Sequence, residues 1–382
     1  MHTTPLKSFH ESHGAKFVDF AGWEMPLTYS GEAGGGIIAE HNRVRNAGGI
    51  FDVSHMGRVI FKGRHARKLL ERLCTRRISD MEQGQCRYTF VCNETGGIKD
   101  DVLVYRKDDD EFLVVVNASN REKLVAHFHS VAESGELKVK IDDQTLKTAM
   151  IAFQGPKVMD MIGHVSNEIP TLKRYRFTEK NLLIAKLLVS RTGYTGENGV
   201  EVILPAGMVE MALKLLMKDI GRPGSEESGG IGVAGLGARD TLRMEAGMPL
   251  YGNELREDIS ALSSGFNFAM NLDKDEDERG EQFIGMQALK SERDAGGPAR
   301  TLVGMYIEGK RSARGHMQIV KDGETVGEVT SACSSPTLGR PIAMGYVESA
   351  HTDEGTKLSI DTGRGSMLEA EVTKLPFYKA PK

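Results

Sequence analysis

Cysteine is scarce in this chain: four occur in 382 residues, at Cys74, Cys86, Cys92 and Cys333. Their spacings make no metal-type pair, and a chain of this length does not need a disulfide framework to hold its core. Reduced, buried thiols are the expectation. Tryptophan is rarer still, with Trp23 alone. No apolar stretch is long enough to span a bilayer, and the N-terminus has no signal-peptide core. A basic excess is also missing. Lys and Arg number 49 against 53 Asp and Glu, a net charge of −4, so nothing marks nucleic acid as a partner. Arg64, Arg67, Lys68 and Arg72 fall on one short helical run and read as a solvated face. Asn93-Glu94-Thr95 and Asn117-Ala118-Ser119 fit a glycosylation pattern, but without any sign of secretion. An intracellular protein is expected: cytoplasmic in a bacterium, or in the mitochondrial matrix with its presequence removed.

Hydrophobic residues make up 40% and charged residues 27%, a globular balance. The length exceeds one ordinary core and calls for two or three domains. Residues 16–20 read as a strand running into a turn at Ala21-Gly22-Trp23. A helical run with Ile37, Ile38, His41, Val44 and Arg45 follows. From 59 to 141, strands at 59–61, 87–92, 102–105, 112–116 and 137–141 alternate with helices at 65–74 and after Ser119, which is placed to cap the second. This order suggests an α+β, ferredoxin-like unit. A second unit of similar grammar starts at Met150-Ile151-Ala152-Phe153. In it Pro156 opens a helix, strands flank Tyr194, and a helix runs over 208–220. A polar loop at 222–230 leads to a helix over 240–246, ended by Gly247. After a linker helix at 285–291, six short alternating runs between 302 and 373 indicate a small β-barrel or sandwich.

Two segments are unusually dense in functional groups. Ser190-Arg191-Thr192-Gly193-Tyr194-Thr195-Gly196-Glu197-Asn198-Gly199-Val200-Glu201 packs glycines, an aromatic and carboxylates between two strands. By itself it is a hairpin with a polar turn. Yet glycine lets backbone approach a flat ligand, and a carboxylate at a pocket edge accepts paired N–H donors such as those of a pterin. Gly235-Leu236-Gly237-Ala238-Arg239-Asp240-Thr241-Leu242-Arg243-Met244-Glu245-Ala246-Gly247 sets two arginines on one helix face, where an exposed ion-pair cluster is the plain alternative. Gly230-Ile231-Gly232-Val233-Ala234-Gly235 satisfies GxGxxG, but a polar loop precedes it where the dinucleotide motif needs a strand. No GxxxxGK[ST] pattern occurs.

With Ala21-Gly22-Trp23-Glu24-Met25-Pro26, Phe51-Asp52-Val53-Ser54-His55-Met56, Gly96-Gly97-Ile98-Lys99-Asp100-Asp101 and Ser334-Ser335-Pro336-Thr337-Leu338-Gly339, these segments resemble the aminomethyltransferase of the glycine cleavage system, the T-protein. The likeness runs from Thr4-Pro5-Leu6 to Leu375-Pro376-Phe377. It implies a three-domain cloverleaf around one pocket, with ferredoxin-like folate-binding domains and a C-terminal β-barrel. Residues 1–275 would form the folate-binding region, with 54–145 inserted into a discontinuous first domain, and 276–382 the linker helix and barrel.

The resemblance also implies a reaction: transfer of a one-carbon unit from the aminomethyl-dihydrolipoyl arm of the small H-protein to tetrahydrofolate, the co-substrate. Ammonia is released and 5,10-methylene-tetrahydrofolate forms. Glycine decarboxylase and dihydrolipoamide dehydrogenase would be functional partners, and no metal is implied. Asp101 becomes the catalytic carboxylate, although two aspartates before a strand otherwise read as a solvated turn. Glu201 reads the pterin edge, although strand alternation alone would turn it to solvent. Arg239 contacts folate and Arg243 supports it. Tyr194, Tyr88, Asn117 and Met56 line the pocket. His55 alone reads as a packed histidine, and Arg314 resembles an arginine at the pocket mouth or the carrier surface.

Rival readings on the same scaffold are a folate-dependent demethylase and a non-catalytic folate-binding factor, whose cysteine motif is missing here. The folate domain of a flavin-linked dehydrogenase would need a flavin domain for which the chain has no room. Departures from the family pattern are Phe266-Asn267-Phe268, where a tryptophan-containing strand is common, and Gly34-Gly35-Gly36 and the acidic run 273–278, which read as extra loop.

Overall fold

The computed structural model describes residues 1–31, 35–182, 185–220, 230–276 and 278–381. The chain opens with β1 (His2–Thr3), α1 (Lys7–Ser12), β2 (Ala15–Phe20) and β3 (Trp23–Tyr29), a three-stranded ribbon in the order β1-β3-β2. Helix α2 (Ile37–Asn46) then leads into β4 (Gly49–Asp52).

The next unit is β5 (Gly57–Lys62), α3 (Ala66–Leu73), β6 (Cys86–Cys92), β7 (Ile98–Arg106), β8 (Glu111–Val116), α4 (Arg121–Ser134) and β9 (Lys140–Asp143). Its sheet runs β6-β7-β8-β5-β9, antiparallel throughout. The chain then repeats that grammar: β10 (Thr148–Gln154), α5 (Val158–Gly163), β11 (Phe177–Leu182), β12 (Ala185–Ser190), β13 (Gly199–Pro205), α6 (Val209–Ile220) and β14 (Gly232–Val233). This sheet runs β11-β12-β13-β10-β4-β14. The upstream strand β4 is therefore wedged between β10 and β14, and the first unit is looped out between β4 and β10.

Helices α7 (Leu236–Glu245) and α8 (Met286–Asp294) lead to β15 (Arg300–Ile307), β16 (Gln318–Lys321), β17 (Glu324–Ser335), β18 (Arg340–Glu348), β19 (Lys357–Asp361) and β20 (Met367–Thr373). These six strands close into a barrel, β15-β18-β17-β16-β19-β20. The barrel, not the sandwich, is the outcome, and closure leaves no edge strand unpaired. The whole is the expected α+β fold with a C-terminal barrel.

Both large sheets are covered on both faces. Val59, Phe61, Val102, Val104 and Phe128 pack the first sheet against its own helices. Ile151, Phe153, Val200 and Leu213 do the same for the second. The remaining faces meet each other through Phe51, Tyr105, Val115, Met150 and Ile203. Along a strand of such a sheet, alternation separates two interiors instead of core and solvent.

Several local expectations shift for that and related reasons. Asp100 and Asp101 lie within β7, not before it, because the strand begins at Ile98. Ser119 does not cap α4: Ala118–Asn120 forms a 3₁₀ turn first, and the cap position falls to Asn120, whose side chain bonds Asp100 instead. Helix α5 begins at Val158, two residues after Pro156. The strand expected over 137–141 starts at Lys140 because Leu137 is still tied to Ala132 at the end of α4.

The acidic run 273–278 is not simply loop. Lys274 is fully buried, and its ammonium donates to the carbonyl oxygens of Glu71 (2.7 Å) and Cys74 (2.8 Å) and pairs with the Glu71 carboxylate at 2.6 Å. Gly34 and most of the loop 222–230 lie outside the described residues.

Candidate functional site

A cavity of about 540 Å³ opens between the two sheets, closed from the sides by β2, β3, α7 and the stretch that follows α7. This is the size of a drug-like ligand site. All seven residues singled out from the sequence line it: Asp101, Glu201, Arg239, Tyr194, Tyr88, Asn117 and Met56.

Asp101 reaches the cavity because β7 puts alternate residues on opposite faces. Val102 and Val104 go to the helix-covered core, whereas Asp101, Leu103 and Tyr105 go to the inter-sheet side. The Tyr88 hydroxyl donates to Asp101 Oδ2 at 3.0 Å, and Asn117 Nδ2 donates to Oδ1 at 2.7 Å. Burial pushes the Asp101 carboxyl above its ordinary value, against these two hydrogen bonds. Asp100, on the other face, is buried and accepts from the Asn117 amide (3.0 Å), Asn117 Nδ2 (2.8 Å) and Asn120 Nδ2 (2.6 Å). It too is raised by burial and by the charge of Asp101. Two carboxyls so close and so dry do not both ionise freely, and they titrate as a pair.

Glu201 is buried, 8% exposed, and its Oε2 accepts from the Thr192 hydroxyl. Strand β13 sends Val200, Val202 and Leu204 to one core and Glu201 and Ile203 to the inter-sheet face, which corrects the solvent-facing reading. Burial raises the Glu201 carboxyl, and the Arg239 guanidinium opposes that. Arg239 stacks over the Tyr194 ring at 4.5 Å, a cation–π contact, and leaves its Nη1 buried with no hydrogen-bond partner among the described residues. The Tyr194 hydroxyl donates to the Pro249 carbonyl. Arg243 also reaches the cavity wall, but its guanidinium is committed to the Glu254 carboxylate (2.9 Å), Asp240 (2.8 Å) and Ser331 (2.9 Å).

The glycines of the hairpin have a cause in packing. A Cβ on Gly193 would stand 1.9 Å from Gln154 Oε1, and one on Gly199 would stand 2.1 Å from the Phe153 carbonyl. Gln154, with Nε2 bonded to the Thr192 carbonyl at 3.1 Å, thus fixes the turn from below.

The GxGxxG stretch does contain a short strand, β14, before α7. The amide at its final glycine, Gly235, is already bonded to Glu40 Oε2 at 2.8 Å, so a carboxylate of the chain occupies the helix N-terminus where a phosphate would sit. Arg314 is exposed and does not line the cavity. Phe266 and Phe268 do line it, and Phe268 packs on Tyr88 with ring centroids 5.9 Å apart, so that departure from the family pattern falls on the cavity wall.

Sequence reasoning set His55 aside as a packed histidine and gave no role to Thr192 or Phe20, and all three lie on the cavity wall. His55 stood in a quoted motif and Thr192 in another, but only the fold brings them together. The four cysteines are free; Cys74, Cys86 and Cys92 are buried, and Cys333 is half-buried. Among the described residues no cluster of three or more His, Cys, Asp or Glu is placed to hold a metal, and no helix is long and apolar enough to cross a membrane.

Two sheets facing each other over a ligand-sized, carboxylate-bearing cavity, followed by a closed barrel, define an α+β class with one enclosed ligand site. Residues 6–274 match the GCVT N-terminal domain model and residues 300–379 the glycine cleavage T-protein C-terminal barrel domain. An aminomethyltransferase of Rubrobacter xylanophilus is 44% identical over 98% of this chain and 94% of its own length. One from Shouchella clausii is 38% identical over 99% and 98%. The crystal structure of glycine cleavage system aminomethyltransferase T from Bartonella henselae superposes with a TM-score of 0.88 at 30% identity, covering 99% of this chain and 98% of that one. The chain belongs to the glycine cleavage T-protein family and is an aminomethyltransferase.

Proposed function

We propose that the cavity takes tetrahydrofolate as co-substrate and the aminomethyl-dihydrolipoyl arm of H-protein as donor. The carrying observation is the placement of Asp101: a carboxylate held by Tyr88 and Asn117 in the same cavity as Glu201 and Arg239. Glu201 accepts the paired N–H donors of the pterin edge, and Arg239 with Tyr194 sets the ring beside it. Met56 adds apolar contact.

Transfer breaks the carbon–nitrogen bond of the aminomethyl group, and ammonia leaves with its proton. The resulting one-carbon cation is stabilised by ionised Asp101 in a water-poor site. The two folate nitrogens bond to that carbon. The carbon–sulfur bond to the lipoyl arm breaks as the second folate nitrogen bonds. Of the two protons lost from the folate nitrogens, one accounts for the proton carried off by ammonia and the other returns the lipoyl sulfur as a thiol, leaving 5,10-methylene-tetrahydrofolate.

H-protein contact is transient, and glycine decarboxylase and dihydrolipoamide dehydrogenase act before and after this step. The same reading divides the chain into a folate-binding region, 1–275 with 54–145 inserted, and a barrel region, 276–382. It places the enzyme in the bacterial cytoplasm or the mitochondrial matrix.

The test is methylene-tetrahydrofolate formation from tetrahydrofolate and aminomethyl-loaded H-protein. Turnover that disappears in Asp101→Asn supports the reading. Folate binding without turnover from this donor rejects it.

A further inference from the structure

The cavity wall includes Arg239 and His55, whose Nη1 and Nδ1 are buried with no hydrogen-bond partner among the described residues. Leaving such atoms unpaired is costly, and cavity walls are where a ligand satisfies them. Arg239 belongs to the site already described. Among the described residues nothing bonds His55 Nδ1.

The ring is nonetheless held in place. His55 is 2% exposed and meets the Phe20 ring edge-on, with centroids 5.5 Å apart. The backbone carbonyls on either side of it, of Ser54 and Met56, both accept from Arg58 Nη1. Arg58 is fully buried and also bonds Thr148 Oγ1 at 2.8 Å, so the loop carrying His55 is clamped. The charged groups that face the imidazole are Arg239 and Arg58 on one side of the balance and Asp52 on the other. Burial, then Arg239, disfavours the imidazolium, so the ring is neutral and always offers a bare nitrogen lone pair.

Arg239 is the common electrostatic neighbour of Glu201 and His55. Glu201, Arg239 and His55 all line the cavity, so its wall holds an acceptor, a donor and an acceptor. One edge of a tetrahydropterin offers the complement: the N3–H donor, the 4-oxo acceptor and the N5–H donor. An oxidised pterin has no hydrogen at N5. Resting on the folate reading above, we propose that His55 is a specificity-determining residue that accepts the N5–H hydrogen bond of the reduced pterin ring.

The probe is a pair of ligands: tetrahydrofolate and 5-deazatetrahydrofolate, which carries carbon in place of N5 and has no N–H there. Dissociation constants are measured anaerobically on the full chain, its His55→Phe variant and its His55→Gln variant. Wild type should bind tetrahydrofolate roughly 3- to 10-fold more tightly than the deaza analogue, the range expected for one hydrogen bond. His55→Phe should bring that ratio to about one, and His55→Gln, which keeps an acceptor, should restore part of it. A general loss of packing would weaken both ligands equally and leave the ratio unchanged. An unchanged ratio in both variants, or a wild-type ratio of one, overturns the proposal. If His55→Phe does not fold, the ratio in His55→Gln decides. Failure of the wild-type chain to bind either ligand overturns the folate reading as well, a different result from an unchanged ratio.

Discussion

Asp100 and Asp101 are adjacent in β7 but face opposite sides of the sheet, and one side-chain amide joins them. Asn117 Nδ2 donates to Asp100 Oδ1 at 2.8 Å and to Asp101 Oδ1 at 2.7 Å. Asp100 is the buried anchor: with three N–H donors from Asn117 and Asn120 it fixes the amide, and the amide fixes the cavity-facing carboxylate. A pair that looks like a solvated turn in the sequence is therefore a layered support for one cavity-facing carboxylate.

Asp101→Asn keeps an oxygen for Asn117 and an amide that can meet the Tyr88 hydroxyl, so the fold should survive. On the proposed role, the negative charge that would stabilise the developing cation is lost. Turnover should fall by about 10²- to 10⁴-fold while tetrahydrofolate affinity stays within a few-fold. Single-turnover rates and a binding titration on the same preparation check both halves. Turnover within a few-fold of wild type would remove Asp101 from the chemistry.

The raised carboxyl pair predicts the pH behaviour. Only ionised Asp101 stabilises a cation, so activity should fall on the acid side with an apparent pKa above that of an ordinary carboxylate, because burial holds the proton on. Stability has the opposite sign. A carboxyl raised in the folded state favours the protonated form, so its contribution is full below the unfolded value and is lost as pH rises through the folded one. Asp101→Asn, permanently neutral, should therefore melt above wild type at pH 8 and close to it at pH 4. Thermal melts at the two pH values decide, and a variant less stable at pH 8 than at pH 4 relative to wild type contradicts the assignment.

Glu201→Gln replaces a two-oxygen anion with one acceptor and one unwanted donor. The pterin edge loses its charge-assisted pair, and folate affinity should drop by roughly 10- to 100-fold. The maximal rate should change less, since the proposed role of Glu201 is to hold the pterin edge and not to act on the carbon transferred. Calorimetric titration with tetrahydrofolate measures the first effect, and unchanged affinity would reject Glu201 as the edge-reading group.

How much of this was legible follows from how local each cause is. The barrel strands and α2 announce themselves by short-range periodicity and turn residues, and they lie within a few residues of where the sequence puts them. Seven cavity residues came from motif resemblance, and the fold gathers all seven. The directions of Asp101 and Glu201 were not legible, because alternation has meaning only once it is known that both sheet faces are covered. The place of β4 between β10 and β14 depends on pairing across some hundred residues of inserted chain. Glu40 capping Gly235 joins residues 195 positions apart, and the isolation of His55 Nδ1 is a property of the assembled cavity.

Glu245 shows the same non-local logic and gives the last prediction. At the end of α7 it accepts from Arg45 Nη2 (2.8 Å), Thr337 Oγ1 (2.7 Å), the Thr337 amide (3.0 Å) and the Ser335 hydroxyl, with His41 Nε2 at 3.2 Å. One carboxylate thus ties α2 and α7 to the turn between β17 and β18 of the barrel. Burial alone would raise its pKa, but His41, Ser335 and Thr337 override burial and bring it down to about 2. A depressed carboxyl contributes stability that is fully present above its unfolded value near 4.5 and is lost as pH falls through the folded one. Glu245→Gln should cost roughly 2–4 kcal/mol at pH 7, at the low end because Arg45 keeps Glu197 at 2.8 Å. That cost should shrink steadily between pH 4.5 and pH 2, since wild type then loses the same charge. Urea midpoints across this range test it. A cost independent of pH would mean that Glu245 holds the barrel by shape and neutral hydrogen bonds, not by its charge.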